Sequence, residues 1–398
     1  MSSEKIFKTR LQAILQITQA INSNFSREQL LKIYDSILRN QMHLSRFVVY
    51  STKGGVPKQL ELIHGISVEE VLAMNLPPFL ERIQDPTEVL ALDNTAVDFF
   101  QFLIPVFHKD RPLAFLLFSG NDTPLDSDDR DFIQALTNII YVAFENKDLA
   151  RESIRQESLK KELELASTLQ NLLLPQTFPV SGSVEVNAFY KTHSQVGGDY
   201  YDYFRLNDGT YALCIADVSG KGVSAALLMS NFQANIRALF SYVNDLEELA
   251  HILNQKVMHA ANGEKFITAF LAKFCPTTRE LTYINCGHNP ALYFHKQGVA
   301  ILKEGSIGLG MLDELPFSRS GKLVVDPETT LVLYTDGLTE IENQEGQYLG
   351  LEGFRDFLAS HIHLTTQDII TNTIVHIRDY SGKEEHADDM AFLILRFH

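Results

Sequence analysis

Four aspartates constrain this chain more than any other feature. They stand in Val196-Gly197-Gly198-Asp199, Ala216-Asp217-Val218-Ser219-Gly220-Lys221-Gly222, Tyr334-Thr335-Asp336-Gly337 and Ala387-Asp388-Asp389-Met390. Each closes or follows an apolar, β-prone run and abuts a glycine or another acid, so each is expected at a strand end. Four such acids at one end of a sheet would repel. Two carboxylates about 4 Å apart cost ~4 kcal/mol at an effective dielectric of about 20. A fold keeps that arrangement only when cations offset it, and all-oxygen ligation suits hard divalent ions such as magnesium or manganese. Any one of these residues is more often a turn aspartate than a ligand. Their joint occurrence points to a two-metal hydrolase in the C-terminal half.

A chain of 398 residues is expected to hold two domains with a linker. The net charge of −16 argues against a nucleic-acid partner, which calls for a basic stripe, and against an anionic membrane surface. No stretch approaches the ~18 consecutive apolar residues of a membrane span. The first segment, with Lys5, Lys8 and Arg10 ahead of Leu11-Gln12-Ala13-Ile14-Leu15, reads as an amphipathic helix and not as a secretory signal. A soluble, cytoplasmic protein is the expectation. Cys214, Cys275 and Cys286 lie in apolar runs without CxxC spacing, which fits reduced thiols better than a zinc site or disulfide.

The pattern is α+β throughout. Helices are expected over 5–22 and 27–42, the second capped by Asn24 or Ser26. Strands follow at 46–50, 59–63, 100–107 and 113–118, the last two joined by the polar turn His108-Lys109-Asp110-Arg111-Pro112. Asp126-Ser127-Asp128-Asp129 then places acids where a helix dipole favours them, and no proline or glycine interrupts the chain until Pro175. Leu159, Leu163, Ala166 and Leu173 keep a narrow apolar seam broken by Gln170. A parallel two-chain coiled coil is the favoured reading, with a single amphipathic helix lying on a domain as its alternative. The expected domains are 1–124, a helical linker over 125–178, and 179–398. In the last, strands are expected at 184–190, 200–206, 211–218, 266–274, 280–285, 291–295, 330–334 and 390–397. Helices are expected at 223–240, 246–260, 351–359 and 366–380, covering two mainly antiparallel sheets.

Asp217 ends the strand Tyr211-Ala212-Leu213-Cys214-Ile215-Ala216, and the polar Ser219-Gly220-Lys221-Gly222 feeds a helix beginning near Val223. A carboxylate and a neighbouring carbonyl can both serve a cation there, and the helix N-terminus offers free N–H groups to a phosphate. An ordinary capped turn is the plainer alternative. Gly-Lys-Gly lacks the spacing of a Walker A loop.

Together, Gly197-Gly198-Asp199, Ala216-Asp217-Val218-Ser219-Gly220-Lys221-Gly222, Cys286-Gly287-His288-Asn289-Pro290, Tyr334-Thr335-Asp336-Gly337-Leu338-Thr339-Glu340 and Asp388-Asp389-Met390 resemble the signature set of bacterial metal-dependent Ser/Thr protein phosphatases of the RsbU/SpoIIE-like group. Leu172-Leu173-Leu174-Pro175 is typical of the segment just upstream. The resemblance implies an α-β-β-α sandwich with two manganese or magnesium ions in a cleft at one end of the sheets. It implies that Asp217 bridges both ions, with the Val218 carbonyl on one of them. Asp336 and Asp388 would complete the first site, and Asp199 would hold a water at the second. Asp217 and Asp336 would thereby be catalytic, activating water for in-line attack on phosphorus. Asp389 is the weaker candidate, since the wider family often has asparagine there. Eukaryotic type 2C members carry Asp-Gly-His where this chain has Asp217-Val218-Ser219, so no leaving-group acid is assigned. His288 could substitute, although such a His-Asn-Pro turn is more often structural.

The N-terminal half is similar to a GAF sensor domain in its order of helices and strands and in the segment Ile104 to Phe118. A ligand-free dimerisation module fits equally. The resemblance to the phosphatases further implies a phosphorylated STAS-domain protein as substrate, an anti-sigma-factor antagonist of a partner-switching pathway, and the coiled-coil reading of the linker implies a homodimer. The alternative is a non-catalytic phosphatase-like adaptor. A metal nuclease fits the acidic chain least.

Overall fold

A computed structural model describes residues 3–53, 56–80, 83, 90–91, 100–109, 111–120, 125–179, 182–382 and 388–398. Residue 110 of the expected hairpin turn, Ala387, residues 383–386 and the expected domain limit at 124 lie outside them. The chain divides into two compact units, Met1–Glu157 and Ser158–His398.

In the first unit, α1 (Ser3–Asn22) and α2 (Arg27–Asn40) precede β1 (Arg46–Lys53) and β2 (Val56–His64). Two short helices, α3 (Val68–Ala73) and α4 (Pro77–Leu80), lead to β3 (Leu90–Ala91), β4 (Phe102–His108) and β5 (Arg111–Ser119). Ser26 caps α2 with a reciprocal capping box to Gln29, which fixes where that helix begins. The strands form one antiparallel sheet in the order β2-β1-β5-β4-β3. Alternation along β1 and β5 splits the apolar residues between two faces. Phe47, Val49, Leu116 and Phe118 pack with α1, α2 and the start of α5 (Ser127–Asn171). Val48, Tyr50, Phe115 and Leu117 pack with Val71, Leu76 and Leu80. Ile133, Leu136 and Ile140 of α5 belong to the first core, so the opening turns of the expected linker are core rather than spacer.

The second unit holds two antiparallel sheets. The first is β13-β10-β9-β8-β7, with β14 (Gly321–Val324) also on β10; only the short β13 (Gly305–Ser306) runs parallel to its neighbour. Its longer strands are β7 (Tyr200–Arg205), β8 (Tyr211–Val218), β9 (Ile267–Cys275) and β10 (Glu280–Cys286). The second sheet is β12-β11-β15-β16-β6. It is built from β6 (Val184–Lys191), β11 (Ala291–His295), β12 (Gly298–Leu302), β15 (Thr329–Tyr334) and β16 (Met390–Phe397).

Leu331, Leu333, Leu393 and Leu395 face the first sheet in a shared core with Leu213, Ile215 and Phe270. That core also takes in Met229 and Phe232 of α6 (Val223–Leu239) and Leu249 and Leu253 of α7 (Leu246–Ala261). Val332, Tyr334, Phe392 and Ile394 point the other way, onto α8 (Gly350–His361) and α9 (Thr366–Ser381). The result is the four-layered α-β-β-α sandwich expected. Cys214 and Cys286 are buried free thiols within it, and Cys275 is partly exposed.

The end of α5 differs from the expected seam. Leu163 and Leu173 are half-buried and Gln170 is buried, whereas Leu165, Leu169 and Leu172 are exposed. The polar residue that breaks the seam is therefore the one that docks. Among the described residues no helix is long and apolar enough to cross a membrane.

Candidate metal centre

Strand register brings the aspartates to one end of both sheets. In the first sheet, Tyr200 pairs with Ala216 across β7 and β8, so Asp199, just before one strand, lies beside Asp217, near the end of the other. In the second, Tyr334 pairs with Phe392 across β15 and β16, which puts Asp336 beside Asp388 and Asp389. Gly337 makes that approach possible, because a Cβ there would stand 1.9 Å from the Asp389 carbonyl oxygen.

Hydrogen bonds and charge then tie the two sheets together. The Thr335 hydroxyl donates to Asp199 Oδ2 at 2.7 Å and accepts from the Ala391 N–H at 2.9 Å. Lys221 Nζ lies 2.9 Å from Asp388 Oδ2. The loop after Asp217 is pinned to the segment leading into β9, with the Phe266 N–H donating to Ser219 Oγ and Lys265 Nζ to the Ser219 carbonyl, both at 2.9 Å. The Val218 carbonyl faces Gly198, where a Cβ would sit 3.0 Å from it.

Burial and crowding disturb these carboxyls strongly. Burial, with Asp336 and Asp388 adding repulsion, pushes Asp217 up to about 7, against a hydrogen bond with Asp199 that opposes the shift. Burial and then Asp388 and Glu340 push Asp336 up to about 6. Asp199 is raised well above the carboxylate range by burial first and Asp217 second, with the Thr335 bond opposing.

This donor set fits a hard divalent cation. It is all oxygen, and the ammonium of Lys221 is the cation set against it. The buried Tyr190 hydroxyl beside Asp389 and Asp199 has no hydrogen-bond partner among the described residues, as a group next to an ion's hydration shell would not. Among the described residues no three acidic, histidine or cysteine side chains are grouped closely enough to hold a metal ion.

Two other residues singled out in the sequence take structural places. Both Asp389 oxygens are occupied by backbone N–H groups, of His193 at 2.7 Å and Gly198 at 2.6 Å. His288 is buried, and burial pushes its imidazole down to about 4. Its Nδ1 is hydrogen-bonded to the Thr268 hydroxyl at 2.8 Å, and Asn285 braces its backbone through bonds of 2.7 and 2.9 Å. This burial and bracing fit the structural turn expected of the His-Asn-Pro sequence better than a leaving-group acid.

Sequence reasoning missed Thr335, which orients Asp199, and the docking of Gln170 on Gly197. Thr335 could have been found from its place immediately before Asp336. Nothing in the local pattern announced Gln170 beyond its interruption of an apolar seam.

The family model for Stage II sporulation protein E (SpoIIE) matches residues 207–398, which include Asp217, Asp336 and Asp388 and begin just after Asp199. Residues 207–398 are thus similar to a SpoIIE-type domain. Phosphoserine phosphatase RsbP of Bacillus subtilis is 27% identical over 241 residues, covering 59% of this chain and 58% of the relative. Phosphoserine phosphatase RsbU of the same organism is 25% identical over 243 residues, covering 61% and 71%. The chain therefore spans 58% of the length of the first of these relatives. The SiaA PP2C domain of Pseudomonas aeruginosa superposes with a TM-score of 0.53 at 23% identity over 61% of this chain and 99% of that one. That likeness bears on the fold alone.

Proposed function

We propose that this protein is a metal-dependent phosphoserine/phosphothreonine protein phosphatase. The observation that carries the reading is the convergence of Asp199, Asp217, Asp336 and Asp388 from two sheets onto one acidic centre. Asp217 is the natural shared ligand of two cations, since Asp336, Asp388 and Asp199 all act on it. Asp336 and Asp388 would serve one cation with Asp217, and Asp199 the other, with the Val218 carbonyl available beside Gly198. Bound manganese or magnesium would supply Lewis-acid activation of water and neutralise phosphoryl charge.

The chain's own groups do the rest. Thr335 orients Asp199. The first turn of α6 has no side-chain cap, so its N–H groups remain free for phosphoryl oxygens beside Asp217. Lys221, half exposed on Asp388, is placed to exchange that partner for a substrate phosphate.

The resemblance to RsbU-like phosphatases supports a phosphorylated STAS-type anti-sigma-factor antagonist as the substrate and the N-terminal unit as a GAF-like regulator. The antiparallel sheet of that unit, flanked by helices, is consistent with the latter. Leu165, Leu169 and Leu172 recur at helical spacing on an exposed face, which supports a homodimer through α5.

The test is manganese-dependent turnover of p-nitrophenyl phosphate by the full chain, followed by mass-spectrometric dephosphorylation of candidate phosphoproteins. A folded, metal-loaded sample that turns over neither would leave a phosphatase-like adaptor as the reading.

A further inference from the structure

Gln170 is only 6% exposed although Leu169 beside it is 57% exposed and Leu172 69%. A buried amide must satisfy its donors and acceptor, and this one does so on a single residue. Gln170 Nε2 donates to the Gly197 carbonyl at 2.7 Å, and the Gly197 N–H donates to Gln170 Oε1 at 3.1 Å. Reciprocal pairing of this kind holds a peptide as a neighbouring strand would. Gly197 leaves no alternative position, because a Cβ there would meet Tyr190 Oη at 2.4 Å and Asp389 Oδ2 at 2.7 Å. From the opposite side Asp389 accepts the N–H groups of His193 and Gly198. Two side chains from distant parts of the sequence thus grip the segment 193–198. The next residue is Asp199.

We propose that Gln170 is a positioning residue for Asp199: the last turn of α5, with Asp389 as its counterpart, sets where Asp199 stands in the acidic centre and so how tightly that centre holds its cation. This rests on the metal-site reading above. Released from Gln170, the Gly-Gly pair has the backbone freedom to carry Asp199 off its mark even while Thr335 holds one oxygen. Supporting contacts of this kind are worth about 10–100-fold in metal affinity.

Asn254 provides a matched control. It is also buried and grips a backbone loop in the same way, accepting from the Gly310 N–H and donating to the carbonyls of Leu312 and Asp313. The experiment uses the full chain with Gln170→Ala, Gln170→Glu and Asn254→Ala. It measures manganese affinity by calorimetry, thermal midpoint, and amide hydrogen exchange of the segment 193–199. Gln170→Ala is expected to weaken manganese binding at least ~10-fold and to speed exchange at Gly197 and Gly198. Gln170→Glu keeps the acceptor for the Gly197 N–H but loses the donor, and should fall between. Asn254→Ala should lower the midpoint while leaving affinity and exchange in this segment unchanged. Unchanged affinity in Gln170→Ala, or an equal loss in Asn254→Ala, overturns the proposal. A parent chain that takes up no manganese would instead sink the metal-site reading. Exchange at Gly197 and Gly198 would then decide the positioning alone, and unchanged protection in Gln170→Ala overturns it.

Discussion

Asp217→Asn should stabilise the metal-free protein at alkaline pH and abolish its response to manganese. The carboxyl of Asp217 is raised from 3.8 to about 7 on folding, mainly by burial. A folded-state value above the unfolded one means that the neutral form is the comfortable one. That contribution to stability is fully present below about pH 4 and is lost as pH rises through about 7. The full difference corresponds to ~4 kcal/mol well above neutrality, and about half of it should survive local relaxation and water entry. For a unit of this size ~2 kcal/mol moves the thermal midpoint by about 4–8 °C. Asparagine cannot ionise and is free of this penalty. The difference in midpoint between variant and parent, measured by calorimetry in chelator, should therefore vanish near pH 4, be about a third of its full size near pH 5 and reach about 4–8 °C by pH 8. Taking the difference cancels groups common to both proteins, such as the buried His288. Saturating manganese should reverse the order, because a ligand that binds only the folded state adds stability to the parent and not to the variant. A variant that is no more stable than its parent at pH 8 in chelator, or one that manganese still stabilises equally, would refute both the crowding and the role of Asp217.

Other expectations concern catalysis and the core. Asp336→Asn should reduce manganese-dependent turnover of p-nitrophenyl phosphate by more than ~100-fold with an unchanged circular dichroism spectrum, and retention of most of the rate would remove Asp336 from the site. Thr335→Val deletes the donor to Asp199 and strands the buried Ala391 N–H; calorimetry should record affinity for manganese weakened about 10–100-fold. His288→Asn should leave the shape of the pH–rate profile unchanged, and loss of a limb of that profile would restore His288 as an acid. Arg237→Leu leaves the fully buried Asp202, which now accepts bonds of 2.7 and 3.0 Å from that guanidinium, without its charge partner. Because Arg237 is itself 46% exposed, the loss in denaturant unfolding should be about 2–3 kcal/mol, below the full cost of breaking a buried pair. Leu169→Asp should lower the sedimentation mass if α5 joins two copies.

How much of this was legible in the residues depended on whether the signal was local. The strand ends carrying Asp217 and Asp336 were readable because an apolar run meets an acid and a glycine within a few residues. The helices α6, α7, α8 and α9 emerged within a residue or two of their expected limits for the same reason. The edge strands Gly298–Leu302, Gly305–Ser306 and Gly321–Val324 did not. They are short, glycine-led and paired on one side, so their state is set by the neighbouring strand and not by their own composition. The same division runs through the site. The carboxylates announce themselves, but what orients them is long-range. Thr335 acts across to Asp199 from the other sheet, and Asp389 spends its charge on the backbone of His193 and Gly198 rather than on a cation. An aspartate next to a candidate ligand and an aspartate that clamps a loop look identical in sequence, since the difference lies in which donors the fold brings within ~3 Å. Gln170 carries the point furthest. Read along its helix it is a flaw in an apolar seam; placed against Gly197 it is the buried residue of an otherwise exposed turn.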